Sequence, residues 1–352
     1  MGAIAPGVMR FGVLTEKGHA EVHERPLPEP GPEEALIRQE ACNICTTDYQ
    51  QWLGQREGRG YPIACGHECA GTVIKTGEKV RDLQCGDQVA LAYITCGICE
   101  GCKRGIGCSN NEIGPRQQSH DGYRGIFGYA DYAVRPARAL VKIKRELSPG
   151  EAAFMEPLAT VMKGLEKLRV KALETVVVIG AGTMGLLNAQ AARAFGCRVI
   201  VSELLDNKIA LARSLGFEVI DGKTAEPASE VMRLTDKAGA DAVIVAVAAA
   251  QANQQALDMA KHLDGRILYF AAGYPAPEIK IDSNIIHYRR LELIGTFGAE
   301  LPHFYAAADM LNQDRVKVSQ LLEGSRYPLE KIQDAFAEAA RPGKYRVSVL
   351  LN

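Results

Sequence analysis

Between residues 175 and about 298 the chain repeats one pattern, a short apolar run followed by a stretch with helical character. The runs are "TVVVIG", "RVIVSE", "FEVID", "DAVIVAVA", "GRILYFAAG" and "LELIGTFG". A strand with one wet face alternates apolar and polar residues, whereas continuous Val and Ile runs suit strands covered on both faces. Six of them separated by helices predict an α/β fold with a doubly wound parallel sheet.

The part before it reads differently. From residue 10 to about 150, runs such as "ALIRQEA", "CAGTVIKTG", "CGDQVALAYI" and "YADYAVRP" alternate with Gly, Pro and Asp, which predicts a strand-rich, turn-rich unit. A helix is expected to open at Ser148 in "SPGEAAFMEPLATVMKGLEKL". A chain of 352 residues, 47% of them hydrophobic, exceeds what a single core usually organises. The expected domains are 1–150 and 151–298, with the tail 299–352 too short for its own core and returning to the first.

"VVVIGAGTMG" places Gly180, Gly182 and Gly185 in G-x-G-x-x-G spacing, directly after the first buried run and at the mouth of an apparent helix. The first glycine permits a tight turn, the second lets a pyrophosphate approach the backbone, and the third packs helix against strand. The helix N-terminus then faces the phosphates. The next run ends in Glu203, 23 positions after Gly180, where a carboxylate accepts hydrogen bonds from adenosine ribose hydroxyls. The same carboxylate repels a 2′-phosphate, and "ELLDNK" has no arginine beside it, so NAD is expected rather than NADP.

Ten cysteines could make a disulfide framework, but in a long chain with no evident leader clustered thiols more often bind metal. "CGICEGCKRGIGC" supplies Cys96, Cys99, Cys102 and Cys108, which can close an all-thiolate tetrahedral shell; such a shell leaves zinc no open position, so this site is expected to be structural. An iron–sulfur cluster is the alternative. A second constellation is sparser: Cys45 in "ACNICTTDYQ", His67 and Glu68 in "GHECAG", and Glu156 in "FMEPLA". Sulfur, imidazole and carboxylate are all zinc ligands, and three of them plus water make an open, catalytic site.

With these motifs in this order, the chain resembles the zinc-dependent medium-chain dehydrogenase/reductase family, most closely its sorbitol (polyol) dehydrogenase and threonine dehydrogenase branches. The matching stretches are "CTTD", "GHECAGTV", "CGICEGC", "MEPLA" and "GAGTMG". The resemblance implies a GroES-like catalytic domain joined to a Rossmann domain, and a homodimer or homotetramer. It implies a catalytic zinc on Cys45, His67 and a carboxylate, with Glu68 the polyol-branch ligand and Glu156 either ligating or holding the zinc water. It makes Thr47 the proton acceptor and Asp48 a supporting carboxylate, and leaves Cys42, Cys65 and Cys69 as buried bystanders. From the polyol branch it also implies coenzyme contacts at Met184, Lys208, Phe270, Ala271, Ala272, Thr296, Phe297 and Gly298.

The implied activity is hydride transfer from a secondary alcohol, such as a polyol, sugar derivative or similar metabolite, to NAD. Two alternatives stay open. One is an L-threonine-type dehydrogenase, whose substrate ammonium and carboxylate need charged partners that the sequence does not locate. The other is a non-catalytic nucleotide-binding zinc protein. The chain departs from the family at Gln50, where many relatives have histidine, and at Gln51, Gly298 and Ala299, where the polyol branch has a tyrosine, an arginine and a second aromatic. Only five residues separate Cys102 from Cys108, where seven are usual. Trp52 is expected either to wall the pocket or to pack the small domain.

The 41 Lys and Arg nearly cancel the 42 Asp and Glu, so no net field marks nucleic acid or an anionic membrane surface as a partner. A small neutral or weakly charged substrate fits this balance better. The opening "MGAIAPGVMRFGVLTEKGHAEV" lacks the apolar core of a leader, and no run approaches the roughly 18 apolar residues of a spanning helix, so a cytoplasmic protein is expected.

Overall fold

A computed structural model describes residues 7–351 with the exception of 57, 59, 111–117 and 120. The first six residues of the stretch read as leaderless therefore lie outside the described residues. The described chain forms two compact units, one of Met1–Ala159, Ala299–Gln313 and Val318–Asn352, the other of Thr160–Gly298 and Asp314–Lys317. The boundary expected at 150 thus falls at 159.

The first unit begins with β1 (Val8–Glu16), β2 (His19–Pro26), β3 (Glu34–Asn43), α1 (Thr46–Trp52), β4 (Ile63–Ala64), β5 (Glu68–Thr76), β6 (Gln88–Leu91), α2 (Glu100–Arg104), β7 (Arg124–Gly125), β8 (Tyr132–Pro136) and β9 (Leu140–Lys142). β3 and β5 pair antiparallel, with Cys42 opposite Cys69 and Asn43 opposite Glu68. This register brings the chain that follows β3 beside the chain that precedes β5. The core beneath them gathers Leu14, Ile37, Ile44, Ile63 and Tyr129 with Cys42, Cys65 and Cys69. The helix expected at Ser148 forms in two pieces, α3 (Pro149–Ala152) and α4 (Met155–Leu168). Ser148 caps α3 in a reciprocal box with Glu151, and Pro149 occupies the first turn, where its missing N–H does no harm.

The second unit carries β10 (Thr175–Ile179), α5 (Thr183–Ala194), β11 (Arg198–Glu203), α6 (Asp206–Ser214), β12 (Glu218–Asp221), α7 (Pro227–Leu234), β13 (Ala242–Val245), α8 (Ala250–Met259), β14 (Arg266–Tyr269), α9 (Ser283–Arg289) and β15 (Glu292–Gly295). The six strands form one sheet in the order β12-β11-β10-β13-β14-β15. Every pairing in it is parallel. Val176, Val177 and Val178 of β10 are wholly buried, as a central strand covered on both faces requires. The chain runs from β10 outward through β11 and β12, then crosses back to β13 on the other side of β10, so the order reverses at the carboxyl end of β10, the usual place for a nucleotide crevice.

The tail adds α10 (Leu301–Asn312), β16 (Leu322–Pro328), α11 (Ile332–Ala339) and β17 (Arg346–Leu350). β17 inserts between β16 and β3 and runs antiparallel to β3, with Ser348 opposite Asn43. A seven-stranded sheet of order β16-β17-β3-β5-β6-β9, with β8 also on β3, results. A second sheet has the order β2-β1-β4-β7. Among the described residues no helix is long and apolar enough to cross a membrane.

Candidate active site

β3 delivers Cys45 as the residue that caps α1, and the N–H groups of Asp48 and Tyr49 close on its carbonyl at 3.0 and 3.2 Å. His67 and Glu68 arrive from the other side at the start of β5. Gly66 makes that approach possible: its φ is +91°, and a Cβ there would lie 2.9 Å from the Tyr129 ring and 3.0 Å from Cys42 Sγ. Cys45, His67 and Glu68 offer ligand atoms that all lie within 4.8 Å of one another.

Around this point the charges are paired in a definite way. Asp48 Oδ1 stands 3.4 Å from His67 Nδ1, and its other oxygen accepts from the buried Tyr129 hydroxyl at 3.1 Å. With Nδ1–H directed at Asp48, the other ring nitrogen is left for a cation. Burial works against the imidazolium, yet Asp48 and Cys45 together hold the His67 pKa well above the ordinary histidine value. Glu68, wholly buried, receives both forks of Arg346, Nε at 2.9 Å and Nη2 at 2.7 Å, and Arg346 Nη2 also lies 3.8 Å from Cys45 Sγ.

Glu156, in the first turn of α4, is outside the set of three and accepts a hydrogen bond from the Tyr93 hydroxyl. Burial, opposed by His67, raises its pKa to about 6. Tyr93 itself packs edge-on against Phe304 with ring centres 5.0 Å apart. Thr47 Oγ1 accepts from Arg56 Nη1 at 3.2 Å. Four acidic groups, Cys45, Asp48, Glu68 and Glu156, therefore gather with His67 and the buried Arg346. A mixed sulfur, nitrogen and carboxylate donor set of this kind fits zinc.

Cys42 and Cys69 lie in the core with their sulfurs 3.3 Å apart, and burial drives the Cys42 thiol far from ionisation. Trp52 stacks on Phe336 at 6.3 Å and its indole N–H points at Gln333 Oε1, 3.4 Å away, so it packs the first unit through α11. Arg346, Tyr93, Tyr129 and Arg56 were not singled out from the sequence. None of them stands in a motif, and each reaches its partner across residues that carry no local signal for the pairing.

Cys96, Cys99, Cys102 and Cys108 also converge, with every pair of sulfurs within 4.8 Å. Two of the separations, Cys96 to Cys102 and Cys99 to Cys108, are 3.9 Å. A tetrahedron of sulfurs at the usual zinc–sulfur distance has edges of about 3.8 Å. Backbone N–H groups of Cys99 and Cys102 point at the sulfurs of Cys96 and Cys99, at 3.3 and 3.4 Å. Donors from Ser109, with the Cys102 N–H, bring the Cys99 thiol down to about 5, whereas burial pushes Cys102 up to about 11. The short Cys102–Cys108 segment thus still closes the group.

In the second unit, Gly180 has φ +100°, and a Cβ on Gly185 would sit 1.8 Å from the Gly180 carbonyl oxygen. Gly182 caps α5, with the Lys208 ammonium 3.6 Å from where its Cβ would be. Met184 lies in the first turn of α5. Glu203, at the end of β11, accepts from the N–H of Ala181 at 2.7 Å and from those of Leu204 and Leu205 at 2.6 and 3.0 Å. Its carboxylate therefore ties the glycine loop to the next turn. Phe270, Ala271 and Ala272 follow the end of β14, and the first two donate to the Val245 carbonyl at 3.1 Å. Thr296, Phe297 and Gly298 follow β15; Phe297 is 84% exposed and Gly298 has φ +64°. These groups all stand at the carboxyl ends of parallel strands.

Comparison with known proteins places this arrangement among others. A family model described as an alcohol dehydrogenase GroES-like domain matches residues 31–145, and one described as a zinc-binding dehydrogenase matches 183–313. The chain is 32% identical over 337 residues to an L-threonine 3-dehydrogenase of Thermococcus kodakarensis, covering 92% of each protein. A solved structure described as a zinc-binding dehydrogenase of Sinorhizobium meliloti 1021, bound to NADP, is 28% identical, with a TM-score of 0.84 over 97% of this chain and 99% of that one. An alcohol dehydrogenase from Thermus sp. ATN1 is 26% identical, with a TM-score of 0.82 over 97% and 99%.

Proposed function

The chain belongs to the zinc-dependent medium-chain dehydrogenase/reductase family, and we propose that it oxidises a secondary alcohol of a polyol, sugar derivative or similar hydroxylated metabolite with NAD. The observation that carries this reading is the meeting of Cys45, His67 and Glu68 around one point; Thr47 follows Cys45 by two residues, in the first turn of α1. When bound, zinc supplies a Lewis acid that lowers the pKa of an alcohol hydroxyl, and the nicotinamide supplies the hydride acceptor.

The remaining work falls to the chain. Cys45, His67 and Glu68 hold the catalytic cation, and Asp48 keeps the imidazole turned so that one nitrogen faces it. Arg346 shares the Glu68 carboxylate, which moderates the negative charge of the donor set. Glu156, held by Tyr93, is assigned to water at the site rather than to the first set of ligands. Thr47 takes the hydroxyl proton. Gln50 does not titrate near neutrality, so the proton leaves by another path, such as water. Cys96, Cys99, Cys102 and Cys108 hold a second, structural zinc.

Gly180, Gly182, Met184, Gly185, Lys208, the segments Phe270–Ala272 and Thr296–Gly298, and Glu203 are assigned to the dinucleotide. The Glu203 carboxylate supports NAD over NADP, since a 2′-phosphate would meet its charge. The assignment includes a cytoplasmic homodimer or homotetramer. The relatives named for L-threonine support a second reading in which the alcohol is that of a β-hydroxy amino acid. Incubating the zinc-loaded protein with NAD or NADP and a panel of polyols, simple secondary alcohols and L-threonine tests both, read at the absorbance of the reduced nucleotide. Cys45→Ser is expected to abolish turnover while NAD binding survives; undiminished activity refutes the assignment.

A further inference from the structure

Two buried carboxylates lie at the Cys45 group, and each is held by a different donor. Glu68 takes both forks of Arg346, whereas Glu156 takes the Tyr93 hydroxyl. Cys45, His67 and Glu68 form the set whose ligand atoms lie within 4.8 Å of one another, and Glu156 is not in it. Glu156 is nevertheless close, since the charges of His67 and Glu68 both act on its carboxyl. All of these residues belong to the first unit.

A zinc with three protein ligands keeps one position for water or substrate, and a fourth protein ligand closes the site. Glu156 is the group placed to close it. Its backbone is fixed in the first turn of α4, where Met155 and Leu158 are wholly buried, but a glutamate side chain can still turn about its own bonds. Ligation by Glu156 would fill the corner that the alcohol needs.

The group that restrains this carboxylate is itself held from a distant part of the unit. Tyr93 follows β6, and its ring packs edge-on against Phe304 of α10, which is 1% exposed. Burial, followed by the charge of Glu156, pushes the Tyr93 hydroxyl well above the ordinary tyrosine value, so it remains a donor. A hydrogen bond to an ionised group shifts an equilibrium by about ten- to a hundredfold.

We propose that Tyr93 is a positioning residue: its hydroxyl keeps Glu156 off the catalytic cation and so keeps the fourth position open for the alcohol. The proposal rests on the dehydrogenase reading above and on Cys45, His67 and Glu68 as the ligands. It gives Tyr93 no contact with the reacting atoms.

The test uses the full-length protein loaded with cobalt(II), whose visible bands report the ligands around the ion, and imidazole as the probe of the open position. The four-cysteine group is closed, so its bands do not respond. In the wild type, imidazole is expected to bind and change the spectrum. Tyr93→Phe keeps the ring on Phe304 but loses the donor, and should need about tenfold more imidazole, because Glu156 then competes for the ion. Adding Glu156→Ala to that variant should restore the wild-type value. With zinc in place, Tyr93→Phe should raise KM for the alcohol by a similar factor and leave NAD affinity unchanged. A wild type that takes no imidazole overturns the proposal, as does a Tyr93→Phe variant that takes it as readily as the wild type. A loss that persists once Glu156 is also replaced overturns it too, since the phenol then acts through packing and not through the carboxylate. The expected imidazole results with no alcohol oxidised by any form leave the role of Tyr93 standing and refute the dehydrogenase reading.

Discussion

His67 and Glu68 are neighbours in sequence with opposite electrostatic problems. The imidazole, close to Asp48 and Cys45, keeps a proton to well above its ordinary pKa in the metal-free protein. That attraction stabilises the apoprotein fully below the free-histidine value of about 6.5 and is lost as the pH rises through the raised value. Zinc takes only the neutral ring, so uptake at neutral pH is expected to release a proton, and affinity should climb with pH across the His67 range. Calorimetric titration with zinc in buffers of different ionisation heat measures the release; a heat independent of buffer contradicts it.

Glu68 has a different dependence, on Arg346. Removing one member of a buried pair strands the other, at about 3–5 kcal/mol, so Arg346→Met should lower the urea midpoint strongly in the apoprotein. Added zinc should recover part of the loss by giving Glu68 another cation. Replacing both residues with apolar ones should be milder than the single change.

At the scale of elements, the six strands of the second unit were legible because each is a contiguous apolar run, and the glycine loop because close approach leaves glycine no substitute. Gly185 makes the point quantitatively. An added methyl would lie 1.8 Å from the Gly180 carbonyl, so Gly185→Ala must push α5 away from β10. The expected result is loss of nucleotide binding, seen as absent NADH fluorescence enhancement, with the zinc content retained. The pairings at the metal site were legible only in part. Cys45, His67 and Glu68 sit in short motifs, but Arg346 lies 278 residues beyond Glu68 and meets it only because β17 enters the sheet beside β3. Trp52 was open to two readings, pocket wall or domain packing, and only the tertiary partners decide: α11 offers Phe336 and Gln333, and the ring packs there.

At the scale of the whole molecule, the first unit is assembled from both ends of the chain, with most of the second unit's sequence lying between them. β17 is an interior strand, flanked by β16 and β3, so its removal takes the partner from the Ala41–Asn43 end of β3 as well as stranding Glu68. A chain shortened to end at Gly343 is expected to lose one equivalent of zinc, that of the Cys45 group, and to keep the one held by the four-cysteine group, whose ligands and N–H donors all lie between residues 96 and 109. Metal analysis by mass spectrometry of the purified shortened chain checks this; retention of both equivalents refutes it.

The Arg346–Glu68 contact also sets an order of events at the ribosome. By the time the first hundred residues have emerged, Cys45, His67 and Glu68 have all been synthesised, but the guanidinium that neutralises one of them is still some 250 codons away. Until it arrives, Glu68 lacks its cationic partner, so any metal that met these three ligands early would face a more anionic donor set than the finished one.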